Sequence, residues 1–198
     1  IIEVIFIFIF KISIFIVSSR FIICFVVKFF VMKLLCIVME FIFKIRGRRV
    51  SLPQLVCLAC YYLVAMHLPD NMLFIKWGGV RVRRMLCSHI FKKCGKGVMI
   101  HKGANFGSGL DIEIGDHSDI GVNAVIPSNT IIGNDVLMAP NCYIFGCNHR
   151  FDNVNMPIRT QGATTKKQTV IGDDVWIGRN VTMMPGRSIQ KVSIIGAC

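Results

Sequence analysis

From Ile114 to His149 the chain reads in units of six: IGDHSD, IGVNAV, IPSNTI, IGNDVL, MAPNCY, IFGCNH. From Ile171 it does so again: IGDDVW, IGRNVT, MMPGRS, IQKVSI, IGAC. Every unit opens on Ile or Met, and six of the eleven carry Gly second. The fourth position is Asn, Asp, Gly or His in eight of the eleven units. A flat strand alternates with period two, so one large aliphatic per six residues describes a short strand followed by a corner. The aliphatic points inward. The fourth position supplies the residue types that most readily adopt φ > 0. The fifth position, Ser118, Ala124, Thr130, Val136, Val175 or Val181, is small or β-branched and fits inside a narrow coil. Three units close a triangular coil, and stacked coils share one apolar core. The predicted fold class is therefore all-β, a left-handed parallel β-helix over residues 98–198. Ile100, Phe106 and Ile112 continue the spacing two residues out of phase, which predicts an irregular first coil.

The rest of the chain is unlike this. Up to Gly97 there are 15 Lys or Arg against 3 Asp or Glu; from Val98 onward there are 8 of each. All of the net charge of +12 thus belongs to the N-terminal part, interleaved with apolar runs. That pattern suits an anionic membrane surface better than nucleic acid, for which no zinc-finger spacing or basic low-complexity arm is present. Residues 1–31 hold ten Ile and eight Phe, and the first Met is Met32. The expectation is a native start near Met32, with 1–31 either not native or membrane-associated. Lys11, Arg20 and Lys28 make insertion marginal, at about 2.5–3.5 kcal/mol each at a bilayer centre. Residues 32–97 read as a helical, basic and apolar extension. Within it, 50–69 is an uncharged helix with Ser51 as N-cap and Pro53 in the first turn. It is expected either at a membrane interface or in an oligomer contact. Residues 80–93 form a basic amphipathic helix with Val82, Met85, Leu86, His89 and Ile90 on one face, ended by Gly95 and Gly97. The nine cysteines show no disulfide framework, and Cys57–Cys60 lacks a second pair to complete a zinc site. A reducing cytoplasm is the expected location, with peripheral contact at the inner membrane face.

The repeat stops at His149, and a loop of 150–170 follows. A long excursion from a solenoid is usually functional. Here the chain resembles the hexapeptide-repeat acyltransferases, on the maltose and galactoside acetyltransferase branch that includes polysaccharide and lipopolysaccharide O-acetyltransferases. The likeness rests on the hexads together with Asn148-His149-Arg150-Phe151-Asp152, Pro157-Ile158, Asp173 to Gly178, Pro185-Gly186 and Ile195-Gly196-Ala197. It covers roughly residues 85–198.

The resemblance implies O-acetyl transfer from acetyl-CoA to a sugar or glycan hydroxyl by a homotrimer, without a metal. It implies His149 as general base. An imidazole suits the role, because its ordinary pKa near ~6.5 lets it take a hydroxyl proton at neutral pH. It further implies that Trp176 lines the pantetheine channel and that amides at Gly178, Arg179 and Ala197 bond the coenzyme arm. Asp119, Asn123 and Asn148 are the acceptor-side candidates, with a plain corner role equally open for Asn123. His67, His89, His101 and His117 carry no motif.

The chain departs from the family at Arg187, where a small apolar residue is usual, and at Gln190, where Gly is. It stops mid-hexad at Cys198, where relatives continue, so the expectation is a truncated domain with weakened coenzyme binding. Two alternatives stay open: a non-catalytic scaffold or inactive relic of the same fold, and a serine-type acetyltransferase. A zinc carbonic anhydrase of this architecture needs a His-x4-His pair, and no two histidines are five apart.

Overall fold

The computed structural model describes residues 50–71 and 76–198. The expectations for 1–31 and for 32–49 lie outside those residues. The chain divides into two compact units, Ile1–Val50 and Ser51–Cys198, and the second carries all that follows.

Every hexad but the one opening at Ile126, which makes an isolated bridge at Val125, forms one two-residue strand. In chain order these are β1 (Lys93–Cys94), β2 (Met99–Ile100), β3 (Glu113–Ile114), β4 (Asp119–Ile120), β5 (Ile131–Ile132) and β6 (Leu137–Met138). Then come β7 (Tyr143–Ile144), β8 (Val170–Ile171), β9 (Trp176–Ile177), β10 (Thr182–Met183), β11 (Ser188–Ile189) and β12 (Ile194–Ile195). All pairings between them are parallel, and they form a three-sided, left-handed β-helix. The first face runs β1-β3-β5-β8-β11. The second holds β2-β4 and β6-β9-β12. The third holds β7-β10, extended downward by bridges from Tyr143 to Val125 and from Val125 to Asn105.

The hexad logic explains this core. The opening residues from Ile114 to Ile189 are all buried, as are Ser118, Ala124, Thr130, Val136, Cys142, Val175 and Val181 at the fifth position. The corner residues His117, Asn123, Asp135, Asn141, Asp174 and Asn180 take φ between 54° and 61°. Asn129 and Cys147 do not, because their corners are built by a proline turn and by the start of the loop. The phase shift of the first coil is local. Asn105 pairs with Val125, 20 residues on, whereas Glu113 pairs with Ile131, 18 on. The two extra residues lie in the corner around Gly107 and Gly109, which adopt φ of 60° and 64°.

Val192 is the exception among corner residues. It is β-branched, 72% exposed and held at φ 57°. Its branched Cβ crowds the backbone there, at a cost of about 1–2 kcal/mol. Val192→Asn is therefore expected to stabilise the protein by about 1 kcal/mol, read as a higher urea midpoint with an unchanged slope.

Two helices close the first-coil end. Helix α1 (Leu52–Leu63) begins with a capping box between Ser51 and Gln54. It is not left for a membrane or a partner alone, as its sequence suggested. Tyr61 is fully buried on the prism, its ring 4.5 Å from Phe106 and its hydroxyl donating to Ala104 O at 2.7 Å. Tyr62 Oη donates to Gly107 O at 2.8 Å. The opposite side, Leu52, Val56, Leu63 and Val64, is exposed. Helix α2 (Gly78–Ile90) also differs from expectation. Its buried face is Val80, Arg83, Cys87 and Ile90, while Met85 and His89 point outward. The rotation follows from Arg83, which finds more acceptors inside than out. The helix ends at Phe91, not at the glycines, and β1 opens the prism at Lys93, ahead of the expected start at 98. No helix among the described residues is long and apolar enough to cross a membrane.

Candidate active site

The chain leaves the prism after Asn148, at the corner between the third and first faces. The base of the excursion is a short antiparallel clasp. Thr164 N donates to Asn148 O at 2.7 Å, Asn148 N to Thr164 Oγ1 at 2.9 Å and Arg150 N to Gly162 O at 3.0 Å. His149 sits inside this clasp, bridged to Ala163, so its backbone is fixed while its imidazole stays exposed. The loop is tied to itself. Gln161 Nε2 donates to Asn153 O at 2.8 Å and to Met156 O at 2.9 Å, and Arg150 pairs with Asp152 at 3.2 Å. The prism resumes earlier than expected: Thr169 is buried and its carbonyl accepts from Ile131 N, so β8 already occupies 170.

The expected coenzyme residues lie at a different corner, between the second and third faces. Trp176 is half exposed on β9, in register between Leu137 of β6 and Ile194 of β12. Gly178 is buried beneath Ala197: a Cβ there would fall 2.5 Å from Ala197 N. Its own amide already donates to Ile195 O at 2.8 Å, which removes it from the expected pantetheine donors. Arg179 is exposed, and its carbonyl accepts from Cys198 N at 3.1 Å.

The three acceptor candidates are not brought together. Asn148 belongs to the clasp. Asn123 belongs to a corner ladder in which Asn123 Nδ2 donates to Asn141 Oδ1, Asn141 Nδ2 to Asn180 Oδ1, and Asn180 Nδ2 to Cys198 O. Asp119 lies on the second face and is 6% exposed. Burial raises its carboxyl above the usual range, and His101 opposes that shift. The sequence reading missed a second polar centre altogether: Asp70 pairs with both His101, at 2.8 Å, and the fully buried Arg83. No group of three or more His, Cys, Asp or Glu among the described residues is disposed to hold a metal.

No protein-family profile matches the chain. It is 31% identical over 156 residues to a probable acetyltransferase of Mycobacterium tuberculosis, covering 64% of this chain and 52% of that one. It is 31% identical over 120 residues to a galactoside O-acetyltransferase of Escherichia coli, covering 60% and 58%. A crystal structure of a hexapeptide-repeat acetyltransferase from Vibrio cholerae superposes with a TM-score of 0.57 at 25% identity, over 75% of this chain and 80% of that one. The chain is similar to the hexapeptide-repeat acetyltransferases. The same Vibrio cholerae enzyme in complex with acetyl coenzyme A superposes with a TM-score of 0.54 at 25% identity, over 79% and 82%. The chain spans about half the length of the two curated proteins above.

Proposed function

We propose that the protein is an O-acetyltransferase that moves an acetyl group from acetyl-CoA to a hydroxyl of a sugar or glycan, with His149 as general base. The observation that carries the reading is the imidazole itself. It is exposed at the point where the repeat breaks, on a backbone locked by the Ala163 bridge. In the proposed step the imidazole takes the hydroxyl proton as the oxygen attacks the thioester carbonyl. N–H donors stabilise the resulting oxyanion. Collapse of the tetrahedral intermediate breaks the C–S bond, and the CoA thiolate leaves and takes the proton back from the imidazolium.

His149 and the trio of Trp176, Arg179 and Ala197 stand at the two edges of the third face of one prism. We propose a homotrimer in which a cleft between two copies holds both, each chain supplying one edge to each neighbour. The acetyl-CoA complex of the Vibrio cholerae enzyme supports the donor, and the name of the Escherichia coli relative supports a sugar acceptor. We place the reaction in the cytoplasm, with the basic N-terminal part at the inner membrane face.

The test is release of CoA thiol from acetyl-CoA by the purified protein against galactosides, glucosides and maltose. Acceptor-dependent release is expected; none with any hydroxyl acceptor would overturn the reading. Trp176→Ala is expected to raise KM for acetyl-CoA about tenfold with little change in kcat, the signature of lost uniform binding. Its melting temperature should hold, because the ring is half exposed.

A further inference from the structure

One side of α2, Arg81, Arg84, Met85 and Ser88, faces the first corner of the prism, Cys94 to Gly97. Between them is a cavity of about 410 Å³. Two glycines of this corner pack closely on the next coil. A Cβ on Gly95 would meet Gly115 C at 2.4 Å, and Gly97 takes φ 68°. Three cationic side chains, Arg81, Arg84 and Lys96, line the cavity, and no acidic residue does. Three other described cations are matched: Arg83 with Asp70, Lys92 with Glu113, Arg150 with Asp152. None of the three lining cations has an ion pair with an acidic side chain among the described residues. The Oδ1 of Asp116 accepts from the backbone amide of Lys96 at 2.7 Å.

We propose that this cavity is an anion site for a phosphate- or pyrophosphate-bearing ligand, separate from the acetyl-transfer site. Three convergent unmatched cations raise the local potential, and a multiply charged anion relieves it. Arg84 and Arg81 offer planar N–H forks that match phosphate oxygens, and Lys96 adds a point charge. Ser88 Oγ, now donating to Met85 O at 2.7 Å, can turn to the ligand. The volume exceeds what a carboxylate needs and lies in the range of small-molecule sites, about 300–1,000 Å³. Such a group comes from a soluble phosphorylated molecule or from a lipid headgroup.

Titration calorimetry of the full chain with inorganic pyrophosphate tests the site. Saturable binding that weakens with salt is expected, and Arg84→Gln with Lys96→Gln should weaken it by about tenfold or more. Lys96→Arg, which keeps the charge, should retain it. No saturable heat with the unaltered protein, or equal binding by the double variant, overturns the proposal. Co-sedimentation with phosphatidylcholine vesicles, with and without phosphatidic acid, separates the sources. Binding that requires phosphatidic acid and is lost in the double variant assigns a lipid. Pyrophosphate binding without vesicle binding assigns a soluble ligand. Neither residue belongs to the proposed acetyl-transfer machinery, so the outcome is independent of that reading.

Discussion

His149→Ala is expected to lower kcat/KM for acetyl transfer by about a hundred- to ten-thousand-fold, the range a positioned general base supplies. Both kcat and kcat/KM should fall together while KM for acetyl-CoA holds, because the interaction is made in the transition state. The position favours a clean experiment. The clasp that fixes residue 149 is made by backbone groups and by Thr164, none of which alanine removes. The imidazole is exposed, so its loss opens no cavity. Thermal stability should match that of the unaltered protein. His149→Gln, which can still hydrogen-bond the hydroxyl but cannot take its proton, should be nearly as impaired. If either variant turns over acetyl-CoA at the original rate, the base lies elsewhere.

The largest expected effect on stability is at Arg83. Its side chain is fully buried, and burial lowers its pKa, against the pull of Asp70. Its Nε donates to Ile100 O at 2.6 Å; Nη1 donates to Ala65 O at 3.0 Å and to Leu68 O at 2.8 Å; Nη2 bonds Asp70. One guanidinium thus joins α2, the chain after α1 and β2. Alanine would leave a carboxylate and three carbonyls short of their donor, each buried acceptor costing about 1–3 kcal/mol. Breaking a buried pair costs about 3–5 kcal/mol, so Arg83→Ala is expected to lose about 4 kcal/mol in urea unfolding. Lysine should recover only part, because one ammonium cannot serve acceptors spread across three segments. A loss below about 1 kcal/mol would show that the helices are held by packing alone.

Arg83 also marks where sequence reading stops. The core was legible because the hexad is a local code: Ile120, Ile126 and Ile132 are buried by the spacing of the units themselves. The left-handed corners were legible for the same reason. The buried face of α2 was not. Its apolar residues suggest a stripe through Met85 and His89, and only acceptors from residues 65 to 70 and from Ile100 turn Arg83 inward. Asp119 likewise reads as a polar outward residue of its strand, yet it is covered in the folded chain. The pairing of Asp70 with His101 joins residues 31 apart with no spacing rule to announce it. At the candidate site, the break in the repeat singled out His149. Gly178 was misread as a free donor, because the amide of a corner glycine is spent on the coil above it.

The helical end of the prism has a consequence for solubility. A solenoid's terminal coil presents unsatisfied peptide groups that can recruit another molecule's strand and seed fibres. Here the carbonyls of Ile100, Ala104 and Gly107 are already taken by Arg83, Tyr61 and Tyr62, and the Gly103 amide by Met66 O. Those four groups are spent within the chain, so that stretch of the first coil offers another molecule's strand little to pair with.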